Sequence, residues 1–187
     1  MPKLIPMWFA VLALAVACTP IEPDRERPAP ADPRDEDRTD PVRIKGLAPH
    51  LVIHRQRDGT IEELSEGAVA HAGDLVQISY VAAGNQHGVV LSIDGRGEVT
   101  LHHPSGPQAS TRLVRTGLHA LDHAYELDDA QSYERFVFIT SGHDPIDVPA
   151  ALDAAQRVTT RGPDARHSPL PLPRRWQQRS VTLEKRP

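Results

Sequence analysis

The chain of 187 residues has a single cysteine, Cys18. No internal disulfide can form, so the fold cannot rest on a disulfide framework. There is no HExxH pair of zinc-binding histidines and no Gly-x-Ser-x-Gly nucleophile elbow. The one glycine-rich turn, Asp94-Gly95-Arg96-Gly97, lies between two strand-like runs rather than before a helix, so it is no phosphate cradle. Positive charge is sparse: the formal net charge is −4, which argues against nucleic acid as a partner. No apolar run reaches the ~20 residues of a spanning helix.

What is present begins at the amino end. Residues 1–18 read MPKLIPMWFAVLALAVAC. Lys3 gives a short positive start, and Leu4 to Ala17 is apolar apart from Pro6. That length suits a secretory signal. Ala15, Val16 and Ala17 then precede Cys18. This stretch resembles the lipobox of bacterial lipoproteins, with Ala15 standing where leucine is commonest. The resemblance implies that residues 1–17 are a signal peptide, and that Cys18 is the first mature residue and carries the lipid. It would also explain a lone cysteine in an exported chain. The bland alternative is an ordinary signal with an incidental cysteine. Each buried CH2 of an acyl chain contributes ~0.8 kcal/mol, and several chains together anchor firmly. Thr19 follows the cysteine where an aspartate often retains such proteins at the inner membrane. By family analogy, its place favours the outer membrane. The expected localisation is membrane-anchored, on the periplasmic or outer-membrane face of the cell envelope.

Residues 19–44 hold six prolines, eight acidic residues and five arginines. Such a segment buries too little apolar surface to offset the entropy of ordering. Residues 18–44 are therefore expected to be a lipidated cysteine followed by a disordered tether. Residues 159–187 carry seven basic residues against Asp164 and Glu184, and read as a disordered basic tail. Trp176 beside Arg174 and Arg175 suggests a contact with anionic lipid or an acidic partner.

Between them, residues 45–158 read as one β-rich domain. Apolar residues alternate in LVQISYV, GVVLSID and EVTLHH, the pattern of half-buried antiparallel strands, while RFVFITS is apolar on both faces. Turn signals fall between the runs, among them Asp58-Gly59 and Gly73-Asp74. Strands are predicted near 50–56, 60–64, 75–82, 87–93, 98–103, 111–115, 123–127 and 134–140. Asp147 as N-cap, Pro149 and the alanines after it predict one closing helix near 148–158. The expected fold is mainly β: an antiparallel β-sandwich or barrel-like domain with one C-terminal α-helix.

Four features of this core, Gly73-Asp74, Asp94 with Gly97, Leu101 with Pro104, and Glu134 with Phe136 and Phe138, resemble a family of bacterial envelope domains known only as a domain of unknown function. The resemblance covers residues 70–141 and implies a β-rich accessory domain of the envelope. It brings no catalytic residue with it. The local physics of these features is structural: glycine for turns, aspartate bonding nearby amides, proline ending a strand.

Ten histidines are present, with His102 and His103 adjacent and His87, His119, His123 and His143 in the same domain. Adjacent strand residues point to opposite faces, so His102 and His103 are not expected to share an ion. Glu126, Asp128, Asp129 and Glu134 form a carboxylate run without the spacing of a calcium loop. No catalytic, cofactor-binding or metal-binding residue is assigned and no cofactor is implied. The leading expectation is a lipid-anchored binding or accessory domain that meets the membrane through Cys18 and a protein partner through its β domain. The rivals are a small metal-dependent hydrolase using His87, His102 or His123 with Asp128, and a structural envelope protein. Three clustered histidines with a carboxylate would favour the hydrolase. An uncovered strand edge would favour protein binding.

Overall fold

The computed structural model describes residues 46–186 apart from 58 and 131. The expected signal peptide, Cys18 and the expected tether lie outside the described residues. The elements run β1 (His50–Arg57), β2 (Thr60–Leu64), β3 (Val69–His71), β4 (Leu75–Val81), β5 (His87–Asp94), β6 (Val99–His103), β7 (Leu118–Glu126) and β8 (Ser132–Ser141). They close with α1 (Val148–Thr159), a 3-10 turn (Gly162–Arg166) and β9 (Gln177–Arg186).

Two sheets result. One has strand order β2-β1-β4-β7, the other β3-β9-β8-β5-β6. All pairings are antiparallel except β3 with β9. The arrangement is a sandwich, not a closed barrel. Between the sheets lie Ile53, Val76, Ile78, Tyr80, Val90, Phe136, Phe138 and Leu183. Each such side chain contributes about 1.5–3 kcal/mol by leaving water.

The five-stranded sheet is covered on its other face too. Val89, Leu91, Ile93, Val137 and Ile139 pack against Val148, Ala151, Ala155 and Val158 of α1. Phe136 and Phe138 thus face one layer and Val137 and Ile139 the other, as the unbroken run RFVFITS predicts. β5 was expected to be half-buried, yet all eight of its residues are buried. Its alternation pairs larger with smaller or polar residues, not core with solvent. The helix starts as expected: Asp147 Oδ1 accepts from the Ala150 amide at 3.0 Å, with proline in the first turn. It is not the last element, because β9 follows. Among the described residues, no helix is long and apolar enough to cross a membrane.

Three expectations are corrected. The stretch 159–187 is no disordered tail. β9 inserts between β3 and β8, with a nine-residue register against β8 from Ser132↔Lys185 to Thr140↔Gln177. The domain therefore extends past 158. Trp176 is buried in the layer beneath the helix, where it is of no use to a lipid surface. Lys185, 5% exposed, pairs with Asp128 and lies 3.5 Å from Glu134, and Arg166 pairs with Glu184. The positive charge that suggested a solvated tail is partly spent inside the fold. Second, residues 111–115 are not a strand but one isolated bridge, His87↔Arg112. Third, β7 begins at Leu118 rather than at 123.

The turn glycines behave as predicted at two places. Gly73 and Gly97 both sit at φ +83, where a side chain is strained. Asp94 Oδ1 accepts from the amides of Arg96 at 2.9 Å and Glu98 at 2.7 Å, which closes the turn between β5 and β6.

Candidate functional site

β6 and β7 are edge strands, one from each sheet, and a groove of about 560 Å³ runs between them. A fault in the strand register shapes it. Val90 faces His103 and Leu91 faces Leu101, so β6 carries one residue more than β5 over this span. His102 is that extra residue. A bulge re-aims side chains, and here His102 and His103 both line the groove instead of pointing to opposite faces. The expected separation of the two is overturned by the bulge.

The groove gathers His102, His103, His119 and His123 with Asp122 and two of the three tyrosines, Tyr80 and Tyr125. Tyr80 is the hub of one end. Its ring lies 6.2 Å from His103, 5.7 Å from His119 and 5.7 Å from Phe138, and its hydroxyl accepts from the Val114 amide at 3.1 Å. At the other end His102 meets Tyr125 edge-on at 4.3 Å, and the Tyr125 hydroxyl donates to the His102 carbonyl at 3.3 Å. The Tyr125 contact ties one sheet to the other across the groove.

The imidazoles are tuned by burial. His102 is pushed down to about 4, and His103 is pushed down by the same cause, which Asp122 partly offsets. Both rings are neutral at neutral pH. His102 Nε2 lies 3.0 Å from the Ser92 hydroxyl. His102 Nδ1 and His103 Nε2 are enclosed with no hydrogen-bond partner among the described residues. Neutral imidazole offers one donor and one acceptor, so each ring holds a polar atom without a partner. His119 Nε2 donates to the Thr116 carbonyl at 2.6 Å, which fixes the proton on that nitrogen.

The Ser92–His102 contact has the length of a nucleophile–base pair. Ser92 is only 2% exposed, however, and His102 Nδ1 has no group among the described residues to orient it. This geometry suits a structural bond beneath the groove.

The residues expected for a hydrolase are not brought together. His87 opens on a different cavity, and Asp128 is bonded to Lys185 with Arg96 3.6 Å away. Of that set only His102 and His123 share the groove. The groove does gather four histidines with Asp122, the company a hydrolase would want, but among the described residues no three His, Cys, Asp or Glu side chains are placed to hold one metal ion. In the carboxylate run, Asp128 is held low, first by its bond from Lys185. Burial pushes Glu134 up, and Ser92 and Lys185 offset part of that rise. Gly73-Asp74, Asp94 with Gly97, and Leu101 with Pro104 all serve turns and strand ends.

Sequence reasoning missed the groove because its walls come from three distant stretches, near 80, 101–105 and 114–125. The one local sign was the His102-His103 pair. No family model, no curated protein and no solved structure matches the chain.

Proposed function

We propose that this is a lipid-anchored protein of the bacterial envelope whose β-sandwich binds a partner protein along β7. The observation that carries the reading is the free edge of β7. It spans nine residues and pairs only with β4 among the described residues. The other edges are shorter: five residues in β2, three in β3 and five in β6. β6 also runs into Pro104, which discourages strand addition, whereas β7 contains no proline.

An extended peptide laid along β7 would satisfy its open backbone groups, and the groove beside it would receive alternate side chains. Tyr80, Tyr125 and the neutral histidines offer flat rings there. Rings of this kind give large contact area for few frozen rotors. The lipobox-like sequence ending at Cys18 supports the anchor, and the proline- and charge-rich stretch after it supports a spacer between anchor and domain.

Two measurements test the reading. A clickable fatty acid should label the protein, and Cys18→Ala should abolish the label; equal labelling of the variant removes the anchor from the proposal. For the binding face, a photo-crosslinking residue is placed at His123, and separately at the exposed Asp153 of α1 as a control. A discrete adduct to another protein at position 123 alone is expected. Silence at 123, or equal adducts at both positions, rejects β7 as the binding face.

A further inference from the structure

A second cavity, of about 790 Å³, shares no residue with the groove. It lies where the start of β5, the 107–112 loop and the approach to α1 meet. Its polar lining includes Gln86, His87, Ser110, Arg112, His143 and Asp147.

His87 is the built part. It is 6% exposed, and its Nδ1 lies 3.0 Å from the Thr111 hydroxyl. That hydroxyl also accepts from the Ile146 amide at 3.4 Å. Its proton is then available to His87 Nδ1, and in that tautomer the imidazole proton sits on Nε2. Nε2 has no hydrogen-bond partner among the described residues and is not sealed off, so its N–H faces the cavity. Burial, and then Arg112, push the imidazole down against a smaller upward pull from Asp144, so the ring is neutral.

The charges divide unevenly. Asp147 is occupied in capping α1 through the Ala150 amide. Arg112 pairs with no carboxylate among the described residues. The cavity is therefore lined by Arg112 and His87, beside Gln86, Gln108 and Ser110. A guanidinium fork matches the paired oxygens of a carboxylate or phosphate.

We propose that this cavity binds a small ligand through an oxyanion group, held by Arg112 and the Nε2–H of His87. The test uses the full-length chain in mild detergent at constant ionic strength set by chloride. Inorganic phosphate and acetate are titrated separately, and the His87 ring and Ile146 amide are followed by NMR. Saturable shifts with at least one probe are expected. Phosphate alone, or acetate alone, assigns the group the cavity prefers. Arg112→Ala, at an exposed position, should weaken the response about tenfold, the loss of one charge-assisted contact, while Arg115→Ala should not. His87→Leu should also weaken it, and Arg112→Ala keeps the test valid if that variant does not fold. No saturable shift with either probe, or equal shifts in Arg112→Ala, overturns the proposal.

Discussion

Arg55 Nη1 donates to Asp74 Oδ2 at 2.9 Å, and both side chains are less than one-tenth exposed. The pair clamps β1 to the turn that leads into β4. Arg55 also reaches the Val69 carbonyl at 3.0 Å and Glu62 at 2.6 Å, and Asp74 accepts from the His71 amide at 2.9 Å. Burial pushes the Asp74 carboxyl up, but the His71 amide and Arg55 outweigh it and hold it below its ordinary value.

Removing Asp74 takes one carboxylate from Arg55 but leaves it Glu62 and the Val69 carbonyl. Asp74→Ala should cost about 1.5–3 kcal/mol, the loss of a charge-assisted bond, read as a lower urea midpoint. Because the folded carboxyl is depressed, its contribution is fully present above the unfolded value of about 3.9 and is lost as pH falls through the folded value. The wild type should lose this margin in strong acid; Asp74→Ala has none to lose there.

The histidines act over a different range. The folded His102 ring stays neutral down to about 4, whereas an unfolded histidine takes its proton near ~6.5. Its stabilising effect is complete above the unfolded value and falls between that value and the folded one, by up to about 1.4 kcal/mol per pH unit. His103 and His87 are shifted in the same direction. Urea midpoints should drop between about pH 7 and about pH 5, and His102→Gln should flatten that drop.

Gly88 has no room for a side chain. A Cβ there would lie 2.7 Å from Leu113 Cδ1 and 2.8 Å from Phe138 Cε2. Overpacking of this kind costs about 1–3 kcal/mol. Gly88→Ala should melt lower by calorimetry, and shortening Leu113 in the same chain should restore part of the loss.

A chain cut after Arg174 should not fold. It loses β9, and with it Leu183, Lys185 and every pairing of β3. Circular dichroism should show no cooperative melt; a normal melt would mean that β9 is dispensable.

Local signals were legible in the sequence, and distant ones were not. Alternation in LVQISYV and EVTLHH located β4 and β6 to within a residue or so, because one strand's faces are written in its own order. The cap at Asp147 located α1 for the same reason. β9 escaped because QQRSVTLEKR carries only Val181 and Leu183 as apolar residues, and Lys185 is accommodated by Asp128, 57 positions away. β3, three residues paired in parallel with β9, has no local pattern to read. The histidine groove depends on a bulge, which is a property of two strands in register and not of either alone.

The place of β9 also sets a schedule. Until Gln177–Arg186 is delivered, β8 has a bare side and β3 has nothing to pair with among the described residues. Domains built from the amino end forward complete themselves when their final contact arrives. Here that contact is an interior strand, so the five-stranded sheet cannot lock before Arg186 has emerged. A chain held short of that point stays threadable, whichever machine is handling it.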